Sequence, residues 1–243
     1  MDKIKVGYRI VGNNLFPLSI SLNKYPHWLI TGPSGSGKSY LTKYLFWSLF
    51  KLPGIEIYCC DFKNSGDYSF LDSDHLAVGM ACTDMLSHFY KRYIEIKENN
   101  LPNRILLVFD EWAAYSMWVE SYDKKVAKIS RDQIAEVLMM GRKLGSNCGG
   151  AYIWTVLQRP DAVYFGSSRD NYFVKIIMKD VTKSIRTMLD LEEDDIPVEH
   201  IARPGHGVCI LDDSIYPIVV PTYNAVAMDA LLTAEREQSR QQG

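Results

Sequence analysis

Short apolar runs alternate along the chain with stretches of helical spacing, and this order predicts an α/β fold. Runs with the character of buried strands occupy residues 28–31, 55–60, 105–109, 151–156 and 173–178. Residues 41–50 lie between the first and second of these runs, and residues 83–99 lie between the second and third. Both segments show the spacing of amphipathic helices. Because strand–helix–strand units with short connections pair their strands in parallel, we expect a central, mostly parallel sheet flanked by helices.

The two ends of the chain show different patterns. Apolar residues at 4, 6, 8 and 10, a turn at 12–14 and an apolar stretch at 16–20 predict a hairpin. It would cover the sheet edge or form a wall of the site described below. Residues 207–211 and 216–220 predict a second hairpin, and residues 223–243 a helix with a polar, flexible end.

The segment after the third apolar run is the least regular. Residues 115–131 are polar and aromatic, and we interpret them as an excursion from the sheet. A helix should then run over residues 132–144 and end at Gly145.

Composition is that of an ordinary soluble protein. The 243 residues are 47% hydrophobic and 23% charged, and the net charge of −2 excludes a strongly basic nucleic-acid binder but permits a local basic patch. The five cysteines lack metal-ligand spacing, so we expect buried thiols in a reducing cytoplasm. Cys59 and Cys60 should face opposite sides of the sheet. No apolar run approaches the length of a membrane span, and we expect no membrane insertion.

Residues 32–39, GPSGSGKS, match the pattern of a phosphate-binding loop between a strand and a helix. Glycines let the backbone curl so that N–H groups point at phosphate oxygens, and the positive end of the next helix adds to the anion site. Lys38 would reach the β- and γ-phosphates of ATP, and the Ser39 hydroxyl would bind Mg²⁺. The candidate nucleotide-binding residues are Gly32, Pro33, Ser34, Gly35, Ser36, Gly37, Lys38, Ser39 and Tyr40.

Two acids close the third apolar run and indicate hydrolysis. Asp110 has the position of an acid that orders Mg²⁺, and Glu111 that of a general base for an attacking water. The alternative is a pair of solvated acids at a strand end. Gln158, after the next strand, would sense the γ-phosphate or orient the attacking water, or it would only cap its loop. A cation that stabilises transition-state charge is also expected, and the candidates are Arg142, Arg159, Arg169 and Arg186.

The ordered set of motifs resembles the motor domain of FtsK/SpoIIIE-type DNA translocases, in the HerA–FtsK class of P-loop ATPases. The matching segments are NKYPHWLITG, GPSGSGKS, DFK at 61–63, LLVFDEWA, GRKLG, QRPDA, TKSIRTMLD and RPGHG. One position departs from the family pattern, because Leu157 stands where a threonine usually precedes Gln-Arg-Pro and Thr155 lies two residues earlier.

The resemblance implies a homo-oligomeric ring, most often a hexamer, with ATP at subunit junctions and double-stranded DNA in the channel. It also implies that Arg186 faces the neighbour's nucleotide, with Arg142 as second choice. DNA contacts to the phosphate backbone would come from the excursion, which carries the most basic local cluster. Its alternative is a solvated helix face. The cluster comprises Lys124, Lys125, Lys128 and Arg131.

The expected organisation is a hairpin cover at residues 1–26, a motor at 27–222 and a C-terminal helix or tail at 223–243. The residues after 222 are too few for the DNA-reading domain of larger family members, so a separate loading partner is expected (a portal, a relaxase or a membrane component). The resemblance suits viral genome packaging and mobile-element or plasmid transfer, and it implies a place in the cytoplasm of a bacterium or a virus-infected cell. Two alternatives stay open, which are a protein-secretion ATPase of the same fold and a non-hydrolysing nucleotide-dependent scaffold.

Overall fold

One ten-stranded sheet organises the computed structural model, which describes residues 2–241. In chain order the strands are β1 Lys3–Val11, β2 Asn14–Ser21, β3 Trp28–Thr31, β4 Ile55–Asp61, β5 Leu76–Val78, β6 Arg104–Asp110, β7 Gly150–Leu157, β8 Val174–Met178, β9 His206–Leu211 and β10 Ser214–Val219. Across the sheet the order is β2-β1-β10-β9-β8-β3-β7-β6-β4-β5. Neighbours from β8 to β5 pair in parallel and those from β2 to β8 are antiparallel, so the prediction of a mostly parallel sheet is confirmed.

Helices cover both faces of the sheet. They are α1 Lys38–Leu49, α2 Cys82–Glu98, α3 Trp112–Tyr122, α4 Lys124–Met140, α5 Lys183–Leu189 and α6 Ala225–Gln241. Apolar residues of α1 and α6 belong to one buried cluster, and those of α2 to α5 belong to the other. Cys59 lies in the first cluster and Cys60 in the second, so successive residues of β4 face opposite sides, as predicted.

The central strands are buried because their side chains are apolar on both faces. Every residue of β3 and of β7 is buried, as expected for strands covered by helices on both sides. Parallel pairing aligns the carboxyl ends of β3, β4, β6 and β7 at one edge, and that edge carries the phosphate loop.

The amino-terminal hairpin extends the sheet. β1 pairs with β10 through Tyr8 and Val219, and β2 forms the outer edge. Of the two arrangements that the sequence left open, the structure shows the edge position, because no residue of β1 or β2 lines the cavity beside the phosphate loop. The hairpin predicted at residues 207–220 is present as β9 and β10.

The prediction of an irregular excursion at residues 115–131 is wrong, because this segment is helical. It contains most of α3 and the first half of α4. Asp123 separates the two helices, since its carboxylate accepts bonds from the N–H groups of Lys125 and Val126 and thereby caps α4. α4 accordingly starts eight residues before the predicted position, and it ends at Met140 instead of near Gly145.

The carboxyl-terminal helix was predicted, and it packs against α1. Lys43 of α1 forms an ion pair with Asp229 of α6 at 2.9 Å. The helix continues to Gln241, so the polar stretch from residue 235 to 241 is helical, whereas residues 242 and 243 lie outside the described chain. Among the described helices, none combines the length and hydropathy needed to cross a bilayer.

Candidate nucleotide site

The phosphate loop connects β3 to α1, and close packing of its backbone requires glycine at two positions. Gly32 has a φ of +147°, and a Cβ there would lie 2.5 Å from the carbonyl oxygen of Met178. Gly37 has a φ of +99°, and its Cβ would lie 3.2 Å from the nitrogen of Gly205. Both backbones therefore approach the neighbouring strand and loop more closely than a side chain permits.

Lys38 opens α1 and turns back over the loop. Its Nζ donates to the carbonyl oxygens of Gly32 at 2.8 Å and Pro33 at 3.1 Å. Burial lowers the pKa of Lys38, and the negative charges of Glu111 and Asp110 oppose that effect. The first N–H groups of α1 have no acceptor within the helix, so this end of the helix adds donors and positive potential.

A cavity of about 400 Å³ lies beside the loop and collects the predicted chemistry. Its lining includes most of the residues that the sequence singled out, namely Ser34, Gly35, Gly37, Lys38, Ser39, Tyr40, Asp110, Glu111 and Gln158. Gly32 and Pro33 do not line it but supply the carbonyl oxygens that hold Lys38. Ser36 is buried, and its hydroxyl has no hydrogen-bond partner among the described residues.

Asp110 ends β6 at the floor of this cavity. Burial raises the pKa of its carboxyl to about 7, and the nearby charges of Glu111 and Asp61 act in the same direction. Tyr68 donates a hydrogen bond to Oδ2 of Asp110 at 2.9 Å and opposes this rise. Asp110 is thus buried beside the phosphate loop, and Tyr68 bonds to one of its two carboxyl oxygens.

Glu111 lies in a strained backbone conformation. Its φ of +62° is in the left-handed region, although it is not glycine. Its N–H donates to the carbonyl oxygen of Val156 at 2.8 Å, which fixes the residue at the junction of β6 and α3. Strain of this kind occurs at functional sites, where the surrounding structure enforces it.

The Glu111 carboxylate has two polar partners. Oε1 accepts bonds from Nζ of Lys63 at 2.7 Å and from Nε2 of Gln158 at 3.4 Å. Gln158 is fixed in turn, because the Thr31 hydroxyl donates to its carbonyl oxygen at 3.2 Å. Thr155 lies away from this group, since it is buried and its hydroxyl bonds to Tyr172.

The predicted arginines lie outside the cavity. Arg186 is on α5 and forms an ion pair with Glu193 at 2.9 Å. Arg142 follows α4 near the start of β7, at the opposite end of the parallel strands, with its guanidinium 5.9 Å from the centre of the Phe173 ring. The other two candidates, Arg159 and Arg169, do not line the cavity either.

The basic cluster proposed for DNA lies on the first half of α4. Lys124 and Lys125 are exposed, and neither has an acidic partner in the part of the chain that the structure describes. Lys128 pairs with Asp132 at 2.8 Å, and Arg131 pairs with Glu120. The cluster is therefore on a helix and not on a loop, and its contact with DNA stays a prediction.

The site also contains residues to which the sequence assigned no individual role. Asp61 lines the cavity, accepts bonds from the N–H and hydroxyl of Ser65, and has a buried Oδ1 without a described partner. Lys63 follows it at the end of β4, and this DFK segment at a strand end was the available signal. Tyr68 carried no such signal, because it reaches Asp110 only through the tertiary structure.

A second cavity, of about 540 Å³, adjoins the first and shares Gly37 and Tyr40 with it. The rings of Tyr40 and Tyr223 stack there with centroids 3.8 Å apart. Tyr223 donates from its hydroxyl to the carbonyl oxygen of Tyr40 at 2.6 Å. Aromatic and aliphatic side chains dominate this wall, whereas the first cavity is lined mainly by charged and polar groups.

The donors in the first cavity suit Mg²⁺. Ser39 and Asp110 both line it, and Asp61 has a buried oxygen that no described group satisfies. Hydroxyl and carboxylate oxygens are ligands that Mg²⁺ prefers, with phosphates and water completing its shell. Among the described residues there is no group of three or more His, Cys, Asp and Glu side chains that could bind a metal alone.

Comparison with protein families gives one match that covers more than half of the chain. Residues 4–131 match the model described as the central domain of the helicase HerA. The chain belongs to this HerA family. It is an ATPase of the HerA–FtsK class, as the resemblance implied. Comparison with curated proteins finds no match.

Solved structures show the same fold at low identity. The pCW3 conjugation coupling protein TcpA, solved with ATPγS, has a TM-score of 0.71 at 20% identity, over 96% of this chain and 70% of that one. The secretion ATPase EccC of Thermomonospora curvata, solved with a signal sequence peptide, has a TM-score of 0.67 at 15% identity, over 99% of this chain and 47% of that one. VirB4 of Thermoanaerobacter pseudethanolicus has a TM-score of 0.60 at 10% identity, over 90% of this chain and 96% of that one.

Proposed function

We propose that this ATPase forms a ring that hydrolyses ATP with Mg²⁺ and translocates double-stranded DNA. The observation that carries the hydrolysis is the position of Glu111 in one cavity with Lys38, Asp110 and Gln158. A nucleotide switch without hydrolysis has no need for a strained glutamate bonded to a glutamine at this point. The non-hydrolysing scaffold is therefore the less favoured alternative.

Each polar group has a role that its geometry permits. Lys38 exchanges its two carbonyl acceptors for β- and γ-phosphate oxygens, and the N–H groups at the start of α1 bind the same anion. Glu111 accepts the proton of the water that attacks the γ-phosphorus, and Gln158 orients that water. Ser39 and Asp110 hold Mg²⁺, which when bound neutralises phosphate charge.

The second cavity suits the base of the nucleotide. It continues from the phosphate loop through Gly37 and Tyr40, and most of its exposed surface is apolar, although Arg203, His206 and Thr222 also line it. A flat heterocycle stacks favourably on such a surface. We therefore place the base beside Tyr40 and Tyr223.

DNA as the moved polymer is supported by family membership and by the free cations of α4. The matched family model describes a helicase domain, and the structurally similar TcpA is a conjugation coupling protein. Lys124 and Lys125 are free to bind DNA phosphates. Such binding would be independent of the DNA sequence and weakened by salt. The ring would be a hexamer that works in the cytoplasm with a separate loading partner, in viral packaging or mobile-element transfer.

Arg186 is the first candidate for the cation that a neighbouring subunit supplies, and Arg142 is the second. Both lie outside the cavity of their own chain, as a residue acting in trans must. A mixing experiment tests this assignment. Lys38→Ala and Arg186→Ala proteins should each be inactive alone, but their mixture should recover part of the ATPase rate, because some junctions then contain both intact residues. Absence of recovery by Arg186→Ala, with recovery by Arg142→Ala, would transfer the role to Arg142.

Movement of a protein is the second candidate function. The fold similarity to EccC, which was solved with a signal sequence peptide, favours it. Steady-state ATPase rates with and without duplex DNA separate the two functions, because only a DNA translocase is stimulated. The double variant Lys124→Glu/Lys125→Glu should lose that stimulation and retain the basal rate. Lys3→Glu, an exposed control on β1, should retain both.

The hydrolytic assignment has its own test. Lys38→Ala and Glu111→Gln should both abolish ATP hydrolysis, and Glu111→Gln should still bind ATP because it retains the phosphate loop. Full turnover by Glu111→Gln would refute Glu111 as the base.

A further inference from the structure

An ion pair occupies the catalytic carboxylate of the proposed site. Nζ of Lys63 lies 2.7 Å from Oε1 of Glu111, although the two residues are 48 positions apart in the chain. They meet because β4 and β6 are adjacent parallel strands whose last residues, Asp61 and Asp110, are in register. Lys63 is therefore held at the carboxyl edge of the sheet, directly beside the phosphate loop.

The residue before Lys63 is packed against α3, whereas the Lys63 side chain is half exposed. The preceding residue, Phe62, packs its ring against Tyr115 and Trp118 of α3, with centroids 5.6 and 5.7 Å apart. The Lys63 side chain is 47% exposed, whereas that of Glu111 is 13% exposed. Because the ammonium is half exposed, solvent weakens its attraction to the carboxylate, and an anion of higher charge can compete for it.

Two cations face the same cavity and repel each other. Lys38 and Lys63 both line it, and the positive charge of Lys63 contributes to lowering the pKa of Lys38. An anion placed between them would relieve this repulsion and bond to both. Phosphate oxygens are strong acceptors for ammonium groups, and a γ-phosphate carries more charge than one carboxylate. The arrangement therefore suits the terminal phosphate of a nucleoside triphosphate.

We propose that Lys63 binds the γ-phosphate of ATP and in doing so releases Glu111 to act as the base. Before ATP binds, the lysine occupies the carboxylate oxygen that would accept a proton from water. When the γ-phosphate takes the lysine, that oxygen becomes available, and Gln158 remains as its polar partner. ADP lacks the group that attracts Lys63, so the ion pair re-forms after phosphate release.

The inference rests on the hydrolytic function proposed above, but nucleotide binding tests it without turnover. Fluorescent ATP and ADP analogues are titrated against Lys63→Met, Lys63→Arg and the parent protein, in both the wild-type and Glu111→Gln backgrounds. Lys51→Met is the matched control, because Lys51 is 46% exposed and pairs with Glu235 at the far end of α1. Thermal unfolding of every variant checks that it is folded.

Lys63→Met should weaken binding of the ATP analogue about tenfold in the Glu111→Gln background, and ADP binding by less than about twofold. Lys63→Arg should retain most of the preference for ATP, and Lys51→Met all of it. Equal effects on ATP and ADP, or none on either, would show that Lys63 only supports the structure and would overturn the inference. Turnover by Glu111→Gln would instead refute the proposed base, so the two failures are distinguishable.

Discussion

The phenolic hydroxyl of Tyr68 donates a hydrogen bond to Oδ2 of Asp110 across 2.9 Å. Tyr68 is fully buried, and burial raises its pKa well above the usual range, so the phenol remains a neutral donor. Burial alone would favour the protonated form of Asp110, whose pKa is raised to about 7. The tyrosine therefore keeps more of this carboxyl in the charged form that a metal requires.

Tyr68→Phe should raise the pKa of Asp110 further, because the variant loses a donor to the carboxylate. The acidic limb of the profile of kcat/KM against pH should move to higher pH by about one unit. Steady-state ATPase rates across the neutral range measure this. Tyr172→Phe is the control, since Tyr172 bonds to Thr155 away from the acids. An unmoved limb in Tyr68→Phe would show that the bond does not tune Asp110.

Replacing Glu111 by glycine or by alanine separates its chemistry from its strain. Both variants lose the carboxylate and should lose ATP hydrolysis. Glu111→Gly should be the more stable of the two by about 1 kcal/mol, because alanine retains a Cβ in the left-handed conformation. Urea unfolding measures the difference.

A control pair at Glu120 within α3 should give the opposite order. Glycine there should be less stable than alanine by about 1 kcal/mol, as in any ordinary helix. Equal stabilities of Glu111→Gly and Glu111→Ala would mean that the site is not strained.

Tyr223→Ala should weaken binding of ATP and ADP equally, by about tenfold or less, because it removes an aromatic wall of the cavity assigned to the base. Titration with fluorescent ATP and ADP analogues tests it. The control is Tyr122→Ala, since Tyr122 is 78% exposed and distant in sequence from that wall. A loss confined to ATP would contradict base binding there and indicate a phosphate contact.

His27 makes stability depend on pH. It is fully buried, accepts a bond from the N–H of Ile153, and burial lowers its pKa from 6.5 to about 3. The unfolded chain therefore binds a proton below pH 6.5 that the folded chain does not, so stability falls as the pH falls. Between pH 7 and pH 5 this costs about 2 kcal/mol.

Urea unfolding at both pH values should show that cost in the wild type, relative to His27→Gln. His88→Gln, at an exposed histidine, should behave like the wild type. The comparison has to be between variants, because Asp110 acts in the opposite direction. Its raised pKa means that stability contributed at low pH is lost as the pH rises toward 7. Parallel pH dependences for wild type and His27→Gln would rule out a neutral buried His27.

The amino-acid sequence by itself determined the features whose signal is local. Apolar runs predicted the buried strands, and the glycine pattern of residues 32–39 predicted the loop between β3 and α1. Asp110 and Glu111 were predictable because they directly follow an apolar run. The cap at Asp123 was also local, but the exposed apolar residues Met117 and Tyr122 of α3 obscured the helical period.

Only the tertiary structure decided which side chains meet across the sheet. Lys63 reaches Glu111, and Tyr68 reaches Asp110, because parallel strands align their ends irrespective of separation along the chain. Tyr223 reaches Tyr40 because α6 packs on α1 after the last strand. Such contacts depend on strand order and register, which short-range periodicity does not encode. The sequence therefore supplied the phosphate loop and its acids, and the fold supplied the groups that hold and tune them.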